Sequence, residues 1–257
     1  WGRLIPADGS PFPAHLDMMR FACQGFQRSM GAAKARGELY FTQGELGIKP
    51  RMGAGQVRLN VTRVEADGTE ITGLTYAQLE LRKQAFSVIA FLRREIPGFQ
   101  AAYISHVAPE VQTRETRRIV GDYVMTAQDV LGAPRSRGAD VLGPPDFPDA
   151  VAKVSYPIEV HNPDTGQREW QIPEKAYSVP YRIFHPRDVE NLIVAAARSL
   201  SGTQEVGAAL RVCPVPIAIG QAAGVAAGLA ALQGVTPAKI DPAEIREKLR
   251  EQGAVVN

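Results

Sequence analysis

The run from Pro214 to Leu232 carries no formal charge, and within it Gly220, Gly224 and Gly228 recur every four residues. Residues four apart lie one above another on a helix, so the run predicts a helix with a stripe bare of side chains. Another body can approach the backbone closely along such a stripe: a second helix, or the flat edge of a ligand at the helix start. Pro214 and Pro216 mark that start. An uncharged run of this length also fits a membrane span with small-residue contacts. Ala and Gly are only weakly apolar, however, Gln221 sits mid-run and two prolines open it, so a buried core helix is the stronger expectation.

The neighbours of this run frame it. Leu192 to Ala197 is apolar and long enough for one buried strand, and a loop is expected from there to Pro214. Asp241-Pro242-Ala243-Glu244 reads as a helix start, with an N-cap, proline at the first position and an acid in the first turn. Ile245 and Leu249 then pack inward and Gly253 ends that helix.

With 257 residues the chain can bury a full core and form one or two domains. Its net charge of +2 is too small to argue for nucleic acid or an anionic membrane surface. The basic cluster Arg114, Arg117 and Arg118 reads as a solvated or ion-paired face. Two cysteines far apart, Cys23 and Cys213, give no metal spacing and no redox pair, so no metal is expected. No secretory leader is read in the opening residues, which points to the cytoplasm. The first residue is Trp1 rather than Met, so a start further upstream is expected.

Earlier in the chain, Leu16, Met19, Cys23, Phe26 and Met30 fall at helical spacing with Gly37 as a stop. Gly44 to Gly55 reads as a loop. Val57, Leu59 and Val61 alternate with polar residues as in a half-buried strand, and Asp67-Gly68 marks a turn. Thr75 with Gln78 resembles a capping box, and Leu81, Ala85, Val88, Leu92 and Ile96 form the apolar stripe of a helix closed by Pro97-Gly98. Ile119 to Met125 suits a strand, followed by a second capping signal, Thr126 with Asp129. Arg135 to Ala150 reads as a surface loop, and Ser155 to His161 as a short strand ending at an Asn-Pro-Asp turn.

Four stretches carry a resemblance: ENLIVAAARSLSGTQEVGAALRVCPVPIAIGQAAGVAAGLAA, TRETRRIVGDYVMTAQDVLG, SYPIEVHNPDTG and YSVPYRIFHP. In order and spacing they resemble a family of bacterial FAD-dependent oxidoreductases, distantly related to the fumarate reductase and succinate dehydrogenase flavoproteins. The likeness runs from about Gly53 to Ala254. Three departures stand out: Thr116 replaces a family serine, Ala197-Arg198 stands where relatives have Gly-Arg, and Gln204 stands where many carry His. An amide does not titrate, so Gln204 cannot take over a proton-accepting role.

The resemblance implies an α+β or α/β fold. A mixed-sheet cap (substrate) domain would be joined to the closing strand and helices of a Rossmann-like FAD domain. The implied division is a helical opening segment (1–50), the cap domain (51–180) and the end of the FAD domain (181–257). Arg211, in the Arg-Val-x-Pro turn, is implied to bind a substrate carboxylate, with His161 and Arg182 orienting substrate or moving a proton. Ala197, Arg198, Val212, Pro214, Pro216, Ile217 and Ala218 would line the flavin, the helix start facing its pyrimidine edge. Tyr156, Tyr181 and Gln204 would meet a small organic substrate. The family's Gly-x-Gly-x-x-Gly loop, which holds the FAD pyrophosphate, occurs nowhere in this sequence. FAD binding is therefore expected only with an amino-terminal segment or partner chain that supplies it. The other reading left open is a non-catalytic binding or assembly subunit that keeps the cap fold without the cofactor.

Overall fold

The computed structural model describes residues 23–50, 55–132, 143–161 and 168–256. The chain divides into two units, Trp1–Val111 with Asn162–Gln167, and Gln112–His161 with Arg168–Asn257. Both mix helices with small antiparallel sheets, an α+β composition.

In the first unit, β1 (Cys23–Gly25) precedes α1 (Gln27–Ala35), then come β2 (Leu46–Pro50), β3 (Val57–Asn60) and the long α2 (Ile71–Glu95). The strands form one antiparallel sheet in the order β1-β2-β3, with Ile48 opposite both Cys23 and Leu59. The expected half-buried strand is β3, whose residues alternate between half-buried and exposed. The expected loop at Gly44–Gly55 instead holds β2, because pairing on both edges and the burial of Leu46 and Ile48 outweigh the local turn composition. The first helix is shorter than its spacing suggests. Cys23 lies in a strand and Phe26 takes a left-handed conformation before Gln27, while Leu16 and Met19 fall outside the described residues. Helix α2 begins at Ile71 rather than Thr75. The Thr75 hydroxyl donates back to the Ile71 carbonyl, and Gln78 reaches the Pro109 carbonyl, so neither caps the helix. Met30, Leu46, Val88, Phe91 and Leu92 lead the core of this unit.

The second unit contains α3 (Ala127–Leu131), β4 (Ala150–Val154), β5 (Ile158–His161), β6 (Arg168–Gln171), β7 (Tyr177–Pro180), α4 (Gln204–Leu210), α5 (Pro214–Gln233) and α6 (Pro242–Glu251). Strand β4 pairs antiparallel with β7, and β5 with β6. The capping box at Thr126 and Asp129 forms as read, and Asp241 caps α6 through the Ala243 N–H. The surface loop expected at Arg135–Ala150 lies in part outside the described residues, and Ala150 itself already belongs to β4.

Four expectations fail here. No mixed sheet forms among the described residues; parallel pairing is limited to the single bridge between Met125 and Gly202. Ile119 to Met125 is not a strand, because its hydrogen bonds go to two different segments: Ile119 and Met125 donate to Ser199 and Ser201, and Val120 accepts from Arg187. A ladder needs one continuous partner. For the same reason Leu192 to Ala197 is not a buried strand: its one cross-segment backbone bond runs from Val194 to Phe184, and Leu192 is exposed. Part of the expected loop, in turn, is α4. Val206, Ala209 and Leu210 recur at helical spacing behind Glu205 in the first turn, and all three are buried.

Helix α5 is the expected core helix on one side only. Val215, Ile219, Ala222, Ala223, Ala226 and Ala230 are buried in a cluster shared with Ile245 and Leu249 of α6 and with β4. Among the described residues it is the one helix long and apolar enough to cross a bilayer, though by length and composition alone. It ends at Gly234, left-handed, whose N–H bonds the Ala230 carbonyl. Gly224 and Gly228 lie on the outer face, and a methyl group added at either would meet nothing within 4 Å. Gly224→Ala and Gly228→Ala are therefore expected to stabilise the protein by up to about 1 kcal/mol each in urea titrations, the helix-propensity difference. A loss of stability would mean that another body lies on this face.

Candidate functional site

Strand β5 sorts its side chains by alternation. Ile158 and Val160 pack on the core, and Glu159 and His161 share the other face. Helix α4 sorts its own in the same way. With Val206, Ala209 and Leu210 turned inward, Gly207, Ala208 and the C-cap Arg211 lie three, four and seven residues after Gln204 along the opposite face. The two faces meet, and Glu159, Val160 and His161 join those four α4 residues around a cleft of about 110 Å³. Arg114, Glu115, Arg118 and Arg198 complete its lining.

Glu159 organises the cleft wall. It is 7% exposed, so its charge requires partners. The Tyr156 hydroxyl donates to Oε2 at 3.0 Å, and His161 Nε2 lies 3.2 Å from Oε1. Arg211 Nη2 donates to the Glu159 backbone carbonyl at 2.8 Å and lies 3.5 Å from Oε2, while its Nε donates to the Ala208 carbonyl at 3.3 Å. Burial pushes the Glu159 carboxyl up, but the hydrogen bonds from His161 and Tyr156, with the charges of His161 and Arg211, hold it below the ordinary carboxylate value. Burial, and then the Glu159 charge, raise the Tyr156 phenol. Burial and the neighbouring charge of Arg114 lower the Arg211 guanidinium from its usual value.

Four of the residues singled out in the sequence thus line one cleft: His161, Arg198, Gln204 and Arg211. Tyr156 joins them through Glu159. Tyr181 and Arg182 do not line it. The Tyr181 hydroxyl donates to the Pro237 carbonyl at 2.8 Å within the core. Arg182 pairs with Asp149 at 3.1 Å and stacks over the Tyr123 and Phe147 rings. Burial, reinforced by the hydrogen bond to Asp129, pushes the Tyr123 phenol up to about 12. Ala197 is buried in the core and Arg198 donates to the Thr113 carbonyl. Sequence reasoning missed Glu159, although its place two residues before His161 on an alternating strand was a usable signal. Arg114 and Arg118, read as a solvated or ion-paired face, are respectively exposed and paired with Glu115, and both also line the cleft.

The sequence model of the family described as FAD dependent oxidoreductase matches residues 10–249, nearly the whole chain. The chain belongs to the FAD-dependent oxidoreductase family. Among curated proteins and among solved structures, none matches it.

For this FAD-dependent oxidoreductase the fit to the cofactor is decided at the head of α5. A helix start ordinarily leaves four N–H groups unpaired. Here Pro214 and Pro216 have none to offer, and the N–H groups of Val215 and Ile217 already bond the Val212 and Cys213 carbonyls at 2.9 and 3.4 Å. The adjacent N–H groups of Val212 and Cys213 donate to nothing among the described residues. Beside them Cys213 is exposed and Ile217 is 72% exposed. Two adjacent donors at the positive end of a long helix, flanked by an exposed apolar side chain, fit one electron-rich, flat edge of a flavin. For its pyrophosphate the sequence holds no Gly-x-Gly-x-x-Gly loop.

Proposed function

We propose that the chain is the carboxy-terminal, substrate-domain part of an FAD-dependent oxidoreductase that moves a hydride between a small organic substrate and flavin. The observation that carries this reading is the convergence of His161, Arg198, Gln204 and Arg211 on one cleft in a chain of this family. In the proposal residues 51–180 belong to the cap domain and 181–257 close the FAD domain, in a cytoplasmic protein distantly related to the fumarate reductase flavoproteins. The pyrophosphate-binding loop comes from an amino-terminal segment or a partner chain.

Bound flavin supplies the two-electron acceptor; the chain's own residues do the rest. Val212 and Cys213 would offer their N–H groups to its pyrimidine edge, with Pro214, Pro216, Ile217 and Ala218 beside them at the head of α5 and Ala197 and Arg198 in the neighbouring segment. His161, held by Glu159, takes the proton that hydride removal leaves on the substrate. Gln204 orients the substrate from α4, and Arg211 and Tyr156, both bonded to Glu159, hold the wall behind it. Tyr181 and Arg182 support the segment that returns from the cap domain.

The test is the visible absorbance of the purified chain, alone and mixed with FAD and the segment encoded upstream. A flavin spectrum retained by the mixture and not by the lone chain supports the proposal. Retention by the lone chain overturns the divided site, and retention by neither overturns the flavoenzyme reading.

A further inference from the structure

The charges lining the cleft do not cancel. Four arginines, Arg114, Arg118, Arg198 and Arg211, face two carboxylates, Glu115 and Glu159. The two carboxylates are already taken: Glu115 pairs with Arg118, and Glu159 with Arg211. Arg198 is left with a neutral partner, the Thr113 carbonyl. Arg114, exposed, makes no hydrogen bond or ion pair among the described residues. Two guanidinium groups thus bring uncompensated positive charge to one small cavity.

We propose that this cleft is a carboxylate-binding site in which Arg114 and Arg198, rather than Arg211, grip the ligand. The inference deepens the oxidoreductase reading and rests on it only for calling that ligand a substrate. A guanidinium presents a planar fork of donors that matches the two oxygens of a carboxylate. Two of the three Arg211 nitrogens, Nη2 and Nε, are committed to Glu159 and Ala208, which fixes this side chain as part of the wall. The mutual repulsion of Arg211 with Arg114 and Arg198 is one that a bound anion would relieve. Size restricts what is enclosed: about 110 Å³ is well below the roughly 300–1,000 Å³ of sites that enclose drug-sized molecules, so the cleft encloses a carboxylate with its nearest carbons, and a short acid is the simplest probe. Gly207 leaves open space where a side chain would intrude, and Gln204 offers both a donor and an acceptor to the rest of the ligand.

The experiment follows the arginine Nε–Hε resonances of the full chain by NMR during titration with propionate, its neutral isostere propionamide, and inorganic phosphate. Saturable shifts at Arg114 and Arg198 with propionate, absent with propionamide and weaker with phosphate, support the site. Arg114→Gln combined with Arg198→Gln weakens propionate binding by about tenfold or more, and Arg117→Gln, outside the lining, leaves it unchanged. Circular dichroism of each variant checks that it folds, as expected for exposed arginines. Unsaturable shifts, phosphate binding equal to or tighter than propionate, or an unaffected double variant overturns the proposal. Flavin retention is measured separately. Propionate bound by a preparation that never takes up flavin sinks the oxidoreductase reading and keeps this site, and flavin uptake without propionate binding does the reverse.

Discussion

Glu159→Leu is expected to cost the second unit about 3–5 kcal/mol, because it leaves the Arg211 guanidinium buried without its carboxylate. The two side chains are only 9% and 11% exposed, so solvent can do little to replace the lost partner. Glu159→Gln costs less, since an amide still accepts from Tyr156, but it shares one further effect. The Glu159 carboxyl is held below its ordinary value of 4.5 in the folded protein. A carboxyl of depressed pKa adds stability that is fully present above the unfolded value and is lost as pH falls through the folded one. The native protein therefore loses stability as pH falls below that value, and Glu159→Gln removes this part of the loss. Urea midpoints at neutral and acid pH, read from Trp170 fluorescence in a Trp1→Phe background, provide the check. A Glu159→Leu protein as stable as the parent at neutral pH would show that the pair contributes nothing.

The second large effect is expected at Phe184. Its side chain is fully buried, its ring lies 5.7 Å from that of Tyr181, and its carbonyl accepts the Val194 N–H at 2.8 Å. Phe184→Ala opens a cavity in the centre of the core and costs about 3–5 kcal/mol by the same urea assay. The void lies next to the segment that carries Ala197 and Arg198, so propionate binding should weaken with it. Val124→Ala, at a side chain 43% exposed, is the matched control and should change stability by no more than about 0.5 kcal/mol. Equal effects at the two positions would contradict the assignment of Phe184 to the core.

What the sequence disclosed depended on how local the cause was. Helices α5 and α6 were legible because proline, the acidic cap and the closing glycines act within a turn or two of the residues they govern. The capping box at Thr126 and Asp129 was legible for the same reason. Strand β2 was not, since it exists through pairing with β1 and β3, which overrides its glycines. Ile119–Met125 and Leu192–Ala197 have strand-like composition, yet each is tied to more than one segment or held by a single bond, which local pattern does not report. The site shows the same division. His161 and Arg211 were found by resemblance, and Glu159 lay within reach of simple alternation. The role of Arg114 depends on a neighbour about 84 residues away, Arg198, and only folding brings the two together.

The cross-links of residues 119–125 bear on how the second unit is made. The Gly121 N–H is satisfied by the Ser201 hydroxyl, 80 residues further along the chain, and Ile119 and Met125 donate to the same distant segment. At a synthesis rate of about 5–20 residues per second, this stretch emerges from the ribosome roughly 4–16 s before its partners exist. During that interval the N–H groups of Ile119, Gly121 and Met125 lack the Ser199–Ser201 segment that satisfies them in the folded unit. One wall of the cleft is therefore made well before the other, and the cleft can close only after α4 has been translated.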